Sequence, residues 1–337
     1  MSNVPTHTRP LNTAVLFLVF NRPSATSQVF EAIRKAKPPK LYIAADGARA
    51  DRKGEIELTQ KVREIATAVD WQCEVKTLFR DQNLGCKRAV CEAIYWFFEH
   101  EDKGIILEDD TLPNQDFFYF VENNLEKYKL DNRVMMITGT NFLSNPNYKD
   151  PYFFSEHMSI WGWGTWKRAW DLYDVNMNSW KTSEAKEFFN KKYFASYISK
   201  YYKYIFNSLQ LDKIDTWDYQ WVFTCLYNHG LCVTPSVNLI SNIGTIGAHT
   251  NGVTDSHFMK VYTLKFDHYS NYYPIVHVNY KHDFTQHKIY SRKIARMMII
   301  IELLKKIYLY NLLRFIKKLI IGLRKNLYHK KEIQKLD

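Results

Sequence analysis

The sequence has few of the residues that build fibrous, low-complexity or disulfide-stapled proteins. Only 12 of its 337 residues are glycine and 10 are proline, which excludes collagen-like and low-complexity classes. The five cysteines, an odd number without a C-x-x-C pair, are Cys73, Cys86, Cys91, Cys225 and Cys232. Free thiols in a reducing cytoplasm are the simplest interpretation of this pattern.

Long apolar runs are also missing. Residues 1–10 are polar and lack the apolar stretch of a signal peptide, so we expect no secretory leader. The longest charge-free apolar run near the C-terminus is Ile307–Leu313, whereas a membrane-spanning helix needs about 20 residues. We therefore expect no helix to cross a membrane. The chain is nevertheless 46% hydrophobic and 16% aromatic, which is enough to bury a sizeable core.

Positive charge is concentrated at one end of the chain. The formal net charge is +11, and residues 286–337 hold 14 Lys and Arg against three acids. The other 285 residues hold 32 bases and 32 acids and are neutral by count. A neutral body with a cationic tail argues against a nucleic-acid-binding domain, because such domains usually carry the basic face themselves.

The tail also has a helical pattern of apolar residues between 309 and 325. The apolar positions follow a spacing of three and four and are Leu309, Leu312, Leu313, Ile316, Leu319, Ile320 and Leu323. The bases of this stretch, such as Lys317 and Lys318, fall on the opposite side. The pattern predicts a basic amphipathic helix that lies on an anionic membrane surface. The alternative is a helix that packs on its own domain or on a partner subunit.

Strand and helix patterns alternate along the first 140 residues. Strands are predicted at 13–20, 41–45, 73–79, 104–107 and 134–138, and helices at 24–37, 55–69, 85–100 and 115–128. This alternation predicts an α/β fold with a Rossmann-like, mostly parallel central sheet flanked by helices. Residues 150–285 are rich in Trp and Tyr, and there we predict only helices around 183–208 and 218–229 and a strand at 231–240.

Polar residues follow four of the predicted strands. They are Asn21-Arg22, Asp46-Gly47, Arg80-Asp81 and Glu108-Asp109-Asp110. Ligands of open α/β sheets bind beyond the carboxyl ends of the strands, so we expect these residues to form one site. Three acids in a row after a buried strand are costly unless a cation or donors neutralise them. Carboxylate oxygens suit Mg²⁺ or Mn²⁺, although an isolated acid pair is often only a solvated turn or a helix cap.

Several motifs together resemble a known enzyme family. In chain order they are FNRP (20–23), ADG (45–47), RDQNLGCKRAV (80–90), ILEDD (106–110) with NQDFFYF (114–120), WGWGTWKRAW (161–170) and TWDYQW (216–221). They resemble nucleotide-diphospho-sugar glycosyltransferases of the GT-A fold, most of all a bacterial family related to N-acetylglucosaminyltransferase I. The resemblance covers about residues 13–250. It implies a catalytic domain over 1–285, with a nucleotide-binding half at about 11–140 and an acceptor half at about 141–285, before the tail 286–337.

The resemblance implies roles for four residues on the nucleotide side. Asp46 would accept a hydrogen bond from the uracil ring, and Arg22 would lie near the base or the diphosphate. Arg80 and Asn83 would shape the nucleotide pocket, although a salt bridge is an equally good explanation for Arg80.

The resemblance also assigns the acids and a histidine. Asp110 would bind the divalent metal, Mn²⁺ or Mg²⁺, while Glu108 and Asp109 would contact sugar and ribose. His249 lies in a glycine-containing segment, SNIGTIGAHTNG (241–252), and would reach the metal or the diphosphate. A lone loop histidine is more often an ordinary surface residue.

On the acceptor side, the resemblance points to aromatic residues and one acid. Trp161, Trp163 and Trp217 would line the pocket for the donor sugar and the acceptor, although large aromatics are commonly core residues. Asp218 matches the acid that deprotonates the acceptor hydroxyl, and Asp215 is its nearby competitor. Inverting sugar transfer needs such a base together with charge neutralisation at the leaving diphosphate, and it needs no covalent nucleophile.

We therefore predict an inverting, metal-dependent glycosyltransferase that uses a nucleotide-diphosphate sugar, UDP-linked by resemblance. N-acetylglucosamine is one candidate sugar, and the acceptor would be a glycan or lipid-linked glycan in cell-surface polysaccharide synthesis. The predicted location is cytoplasmic, peripheral on the inner face of the cell membrane, and no nucleic-acid partner is expected. One alternative is a sugar-nucleotide pyrophosphorylase, which would need a glycine-rich phosphate loop that FNRPS (20–24) does not supply. The other is a non-enzymatic protein that acts on membranes through the tail.

Overall fold

The structure, a computed structural model, describes residues 9–145, 147–193, 197–244 and 260–288, and residue 300. Its strands are β1 (Val15–Val19), β2 (Lys40–Ala45), β3 (Glu74–Phe79), β4 (Lys103–Glu108), β5 (Thr111–Pro113), β6 (Val134–Thr138), β7 (Tyr152–Ser155), β8 (Trp163–Trp166), β9 (Leu231–Pro235) and β10 (Ile240–Asn242). Its helices are α1 (Pro23–Ala36), α2 (Glu55–Thr67), α3 (Cys86–Phe98), α4 (Gln115–Lys127), α5 (Lys167–Trp170), α6 (Ser183–Lys192), α7 (Tyr197–Gln210), α8 (Asp218–Tyr227) and α9 (Phe266–Tyr269).

Eight strands form one central sheet in the order β3-β2-β1-β4-β8-β6-β9-β7. The four strands at the β3 end pair in parallel, and β6 pairs in parallel with β9. Only β8 and β7 run against their neighbours. The predicted α/β fold with a mostly parallel central sheet is therefore confirmed. A separate antiparallel pair is formed by β5 and β10.

The first strand shows why the sheet forms. All five residues of β1 are buried, as expected for a strand with neighbours on both edges and helices on both faces. Helix α1 follows directly, because Pro23 at its first position has a backbone angle suited to a helix start. Its face with Val29 and Ile33 is fully buried. The apolar run and the helical periodicity thus build one strand–helix unit.

Strand β8 was not predicted. It lies between β4 and β6, antiparallel to both, and its four residues are buried. Gly164 is needed at this position, because a side chain there would place its Cβ 2.4 Å from Cγ1 of Val121 on helix α4. The WGWG segment is thus partly a central strand and not only a turn.

The helical stretch predicted at 183–208 is two helices, α6 and α7, on either side of residues 194–196, which are outside the described residues. The strand predicted at 231–240 corresponds to β9 and to the first residue of β10. Helices α6, α7 and α8 surround an apolar cluster of their own, centred on Trp180, Phe189 and Phe206.

Residues 280–288 are helical and cross the predicted start of the tail at 286. Gln286 and His287 are buried against the domain, with only 2% and 4% of their surface exposed. Apart from residue 300, the tail beyond 288 is outside the described residues. Among the described residues, none of the helices is long and apolar enough to cross a bilayer.

Candidate functional site

The three consecutive acids lie at the carboxyl edge of the parallel strands, as predicted. Glu108 is the last residue of β4, and Asp109 and Asp110 form the turn that leads into β5. Thr111 fixes this turn, because its hydroxyl both accepts from the backbone N–H of Glu108 and donates to its carbonyl, each at 3.0 Å. The turn therefore holds three carboxylates in a small volume.

Arg22 joins two of these acids. It precedes α1 at the end of the turn that follows β1, and its Nη1 lies 2.8 Å from Oδ1 of Asp109 and 2.5 Å from Oδ2 of Asp110. The backbone N–H of Phe20 also donates to Asp109, at 3.3 Å. The resemblance implies a place for Arg22 near the base or the diphosphate. In the structure its guanidinium contacts the acids.

The site brings more carboxyl groups together than Arg22 contacts. Burial raises the pKa of Glu108, and the carboxylates of Asp110, Asp109 and Asp218 raise it further. Burial also raises the pKa of Asp109, although Arg22 opposes that effect. Carboxyl groups whose charged form is disfavoured in this way are stabilised by an added cation.

The donor set fits a hard divalent cation only in part. Carboxylate oxygens are the ligands that Mg²⁺ and Mn²⁺ prefer, and Mg²⁺ often uses one or two carboxylates together with substrate phosphates. No group of three or more His, Cys, Asp or Glu side chains in the described ranges is arranged to hold a metal ion by itself. His249, the predicted additional ligand, lies outside the described residues. The described residues thus offer one or two carboxylates and leave the other ligands to phosphate or water.

The segment after β10 closes over Asp110. The backbone N–H of Ile243 donates to the Asp110 carbonyl at 2.8 Å. Gly244 lies so near that a Cβ there would be 2.3 Å from Oδ2 of Asp110. Only glycine allows the backbone to approach the carboxylate this closely. Gly244 belongs to the segment 241–252, in which the resemblance implies a role for His249 only.

The carboxylate of Asp46 forms hydrogen bonds with other parts of the protein. Its carboxylate accepts hydrogen bonds from the backbone N–H groups of Gly47, Leu84 and Gly85 at 2.9 to 3.2 Å. The side-chain amide of Asn83 donates to it at 2.9 Å and to the Gly47 carbonyl at 2.8 Å. Asp46 and Asn83 therefore tie the end of β2 to the loop before α3, and the uracil contact implied for Asp46 stays a prediction.

Arg80 forms a salt bridge, which was the alternative considered for it. Its Nη2 lies 3.0 Å from Oε2 of Glu92 on helix α3, and Arg88 shares the same glutamate. The Arg80 carbonyl in turn accepts from Nη2 of Arg63. These contacts hold β3 against α2 and α3 behind the site.

The two acids near residue 216 have different surroundings. Asp215 accepts from the backbone N–H groups of Cys86 and Lys87, each at 3.2 Å, and so caps the start of α3. Asp218 begins α8, and its Oδ1 accepts from the hydroxyl of Thr216 and from the backbone N–H of Tyr219. Because the charge of Asp218 raises the pKa of Glu108, Asp218 belongs electrostatically to the acidic cluster. The choice of Asp218 over Asp215 as the acceptor base stays a prediction.

Cys86 also belongs to this site, and the sequence analysis did not assign it a role. It is the first residue of α3, and its backbone N–H donates to Asp215 at 3.2 Å. Burial of the sulfur raises the pKa of the Cys86 thiol to about 12, and Glu108, Asp218 and Asp215 contribute in that order. The thiol is therefore protonated at neutral pH. In the sequence, its position directly after the turn that follows β3 was the feature that could have indicated a place at the site.

Two of the three predicted aromatic residues are buried in the core, and the third is partly exposed. Trp163 and Trp217 stack at 5.7 Å between ring centroids, and both are buried, at 0% and 2% exposure. Trp161 is half-buried and packs edge-on against Phe142 at 5.2 Å. Trp161 precedes strand β8, which begins at Trp163. The structure thus gives Trp163 and Trp217 packing positions and leaves Trp161 partly exposed beside Phe142.

The surface depressions found beside the domain have other linings. One of about 640 Å³ lies between α1 and α2, with Phe30, Arg34 and Ile65 among its walls. A polar one of about 340 Å³ contains Lys87 and Lys181. Neither is lined by the acids, so the candidate site rests on its charges and not on a closed cavity.

Comparisons with known proteins do not assign the chain to a family. No family model matches the chain, and no curated protein matches it. Among solved structures, the inositol-1-phosphate CTP transferase from T. maritima is similar at 9% identity over 71% of this chain and 94% of that one, with a TM-score of 0.37. A UDP-glucose pyrophosphorylase complexed with UDP-glucose is similar at 8% identity over 48% and 79%, with a TM-score of 0.30. The 4-diphosphocytidyl-2C-methyl-D-erythritol synthase from Anaerococcus prevotii is similar at 6% identity over 51% and 78%, also at 0.30.

Because these TM-scores are all below 0.5, the fold is assigned from the strand order of the central sheet. The family related to N-acetylglucosaminyltransferase I stays a prediction from the motifs.

Proposed function

We propose that this protein is an inverting, metal-dependent glycosyltransferase. It would move a sugar from a nucleotide-diphosphate sugar, UDP-linked, to a hydroxyl of a glycan or lipid-linked glycan. The observation that carries the proposal is the acidic cluster of Glu108, Asp109 and Asp110 at the carboxyl edge of the sheet, with Asp218 within its electrostatic reach. A site with this surplus of negative charge suits a cation and the phosphates that accompany it.

The residues present fit the implied Mn²⁺ or Mg²⁺ in chemistry. We assign the ion to Asp110, the acid that the resemblance implies, whose carboxylate lies in the turn after β4. When bound, the ion would neutralise charge that grows on the departing diphosphate. Arg22 is the cation that already contacts the acids, and we assign it to the donor phosphates as well, since a guanidinium binds phosphate oxygens in the same geometry as carboxylates.

Asp218 is our candidate for the base that removes the acceptor proton. Thr216 and the backbone of Tyr219 fix one carboxylate oxygen, and a base must be held in one geometry to act on a single hydroxyl. Asp215 is occupied at the start of α3. The acceptor would approach from the side of α8 and Trp161.

A lipid-linked acceptor and a peripheral location at the inner face of the membrane are part of the proposal. Their support is the cationic pattern of residues 286–337, because such segments bind anionic leaflets. The proposal therefore predicts two separable activities, donor chemistry in the domain and membrane association through the tail.

The first test is donor binding. UDP and UDP-sugars are titrated calorimetrically with and without Mn²⁺ into the wild type, Asp110→Asn and the control Asp51→Asn, whose side chain is 80% exposed. We expect Mn²⁺-dependent binding that Asp110→Asn loses and Asp51→Asn keeps. If no UDP compound binds to the wild type with Mn²⁺, the proposed function is wrong.

The second test is turnover. Asp218→Asn should keep donor binding and lose about a hundredfold or more in sugar transfer or donor hydrolysis, as expected for a lost general base. Asp215→Asn is the matched control and should keep turnover. Formation of a nucleoside triphosphate from UDP-sugar and pyrophosphate would instead identify a pyrophosphorylase.

A further inference from the structure

In the helix formed by residues 280–288, the buried face is polar and the exposed face is aromatic, the reverse of an ordinary surface helix. Their inward face is polar and buried, with Asp283 6% exposed and Gln286 and His287 less. Their outward face carries two aromatic side chains, Tyr280 at 72% and Phe284 at 59% exposure. Residues four apart lie on the same side of a helix, so the two rings form one exposed patch. Aromatic residues are usually the buried side of a surface helix, and this reversal needs an explanation.

The polar inward face is held by specific contacts, so a simple rotation of the helix does not explain the pattern. Asp283 accepts from the hydroxyl of Ser155 at 2.5 Å and from the backbone N–H of Glu156 at 2.7 Å. Nε2 of His282 lies 3.2 Å from Oδ1 of Asn141. These contacts fix the helix on the end of β7, which leaves Tyr280 and Phe284 outward.

The charges around the two rings are positive. Lys281 and Lys288 are exposed on the same helix, and the described helix has one acid, Asp283, which faces the domain. The stretch that precedes the helix adds exposed apolar side chains, Tyr273 at 73% and Ile275 at 80%. Val278 of this stretch bridges to Phe154 at the outer strand β7, so the exposed residues belong to that end of the sheet.

We propose that this aromatic face, defined by Tyr280, Lys281, Phe284 and Lys288, inserts into the headgroup region of an anionic membrane. The apolar rings of tyrosine and phenylalanine can insert among lipid headgroups at the membrane–water interface, and lysines attract anionic headgroups. The chain leads from this face directly into residues 289–337, which hold 13 Lys and Arg against three acids. Continuity with that cationic sequence favours lipid over a second copy of the chain, whose identical charges would repel.

The proposal goes beyond the proposed function, because it gives the folded domain its own membrane contact and does not depend on sugar transfer. Stable attachment generally needs two signals, such as a charged segment and an apolar insertion. The aromatic face supplies the insertion at a fixed place on the domain. It would therefore set how the domain, and with it the acidic site, is oriented toward the lipid.

The test uses the full chain and sedimentation with vesicles of phosphatidylcholine and phosphatidylserine. Tyr280→Ser combined with Phe284→Ser should weaken vesicle binding about tenfold, which equals about 1.4 kcal/mol. The matched control is Leu130→Ser combined with Tyr204→Ser, two residues 88% and 48% exposed on other parts of the domain. It should bind vesicles like the wild type. Thermal unfolding of both double variants should match the wild type, because the changed side chains face solvent.

A second variant keeps the test decisive if the serine variant does not fold. Phe284→Trp preserves an aromatic ring and should bind the vesicles at least as tightly as the wild type, since tryptophan favours the interface. Weaker binding by Phe284→Trp, or unchanged binding by a folded serine variant, would overturn the proposal. A change of oligomeric state in gel filtration that appears only in the serine variant would assign the face to a second copy instead, and would also overturn it.

Discussion

Replacing Asp46 by asparagine distinguishes a nucleotide-binding role from a role inside the protein. In the structure its two carboxylate oxygens accept from the backbone of Gly47, Leu84 and Gly85 and from the Asn83 amide. Asparagine keeps one acceptor oxygen and replaces the other with an NH₂ group. That group would face the donors of Asn83 and Gly85 without being able to accept from them.

The expected loss follows from these contacts. Net contributions of hydrogen bonds to a charged group are about 1.5–3 kcal/mol each when the partner stays buried. Asp46 is only half-buried, so water replaces part of what is lost. Burial also raises the pKa of Asp46, although hydrogen bonds from Leu84 and Gly47 oppose this, and the neutral amide escapes that desolvation cost. We expect the free energy of unfolding to fall by about 1–2 kcal/mol.

The assay is urea unfolding followed by circular dichroism, combined with UDP titration. Asp51→Asn is the control, because its side chain is 80% exposed, and it should change neither quantity. If Asp46 binds uracil instead, Asp46→Asn would lose UDP affinity while its free energy of unfolding stayed at the wild-type value. That result would refute the internal role argued here.

Three further predictions concern other parts of the molecule. Asp215→Ala should lower the free energy of unfolding by about 1 kcal/mol, the usual value of a helix N-cap, and keep donor binding; a large loss of binding would contradict this. Hydrogen bonding to Arg49 is the main effect that lowers the pKa of Glu55, to about 2 from 4.5. Its stabilisation is therefore complete above pH 4.5 and is lost as the pH falls toward 2. Glu55→Gln should accordingly cost about 1–3 kcal/mol in urea unfolding at pH 7 and progressively less at acid pH, and a pH-independent difference would be inconsistent with an ion pair. Truncation after residue 288 should weaken sedimentation with anionic vesicles in a salt-dependent way and leave donor binding unchanged, whereas equal binding by the truncated chain would exclude the tail as an anchor.

The parallel half of the sheet could be predicted because its signals are local. Strand β1 is one uninterrupted apolar run, and α1 carries its own apolar spacing and an initial proline. The carboxyl ends of parallel strands meet at one edge, so the gathering of Arg22 with the acids follows from the order of the elements. Each of these inferences needs only local patterns and the order of the elements along the chain.

Strand β8 could not be predicted because its partners are distant in the sequence. Its pairing with β4 joins residues such as Ile106 and Trp163, and its fit depends on Gly164 lying under Val121. In the sequence, four aromatic residues around two glycines are equally compatible with a buried strand and with a turn that exposes its rings. The burial of Trp163 and Trp217 follows from that packing. The residues next to them in the sequence do not indicate this burial, so the sequence alone could not distinguish a core position from a sugar contact.

Roles within the site also depended on distances that a sequence does not contain. Asp215 and Asp218 are three residues apart, and both were candidates for the same base. Only the folded chain brings the start of α3 to Asp215 and leaves Asp218 with the acidic cluster. Asp46 shows the same limit, because its role depends on how the loop at 83–85 folds back to it.

The charge balance at the site limits what can bind there. Arg22 contacts Asp109 and Asp110, and the carboxyl groups of Glu108 and Asp218 lie within electrostatic reach of the same cluster. A nucleotide diphosphate that arrived alone would add further negative charge and compete for the same guanidinium. A divalent cation that arrived with it would compensate both the phosphates and the carboxylates. We therefore expect the nucleotide and the cation to bind as a pair, each raising the affinity for the other by the same factor, as reciprocal linkage requires.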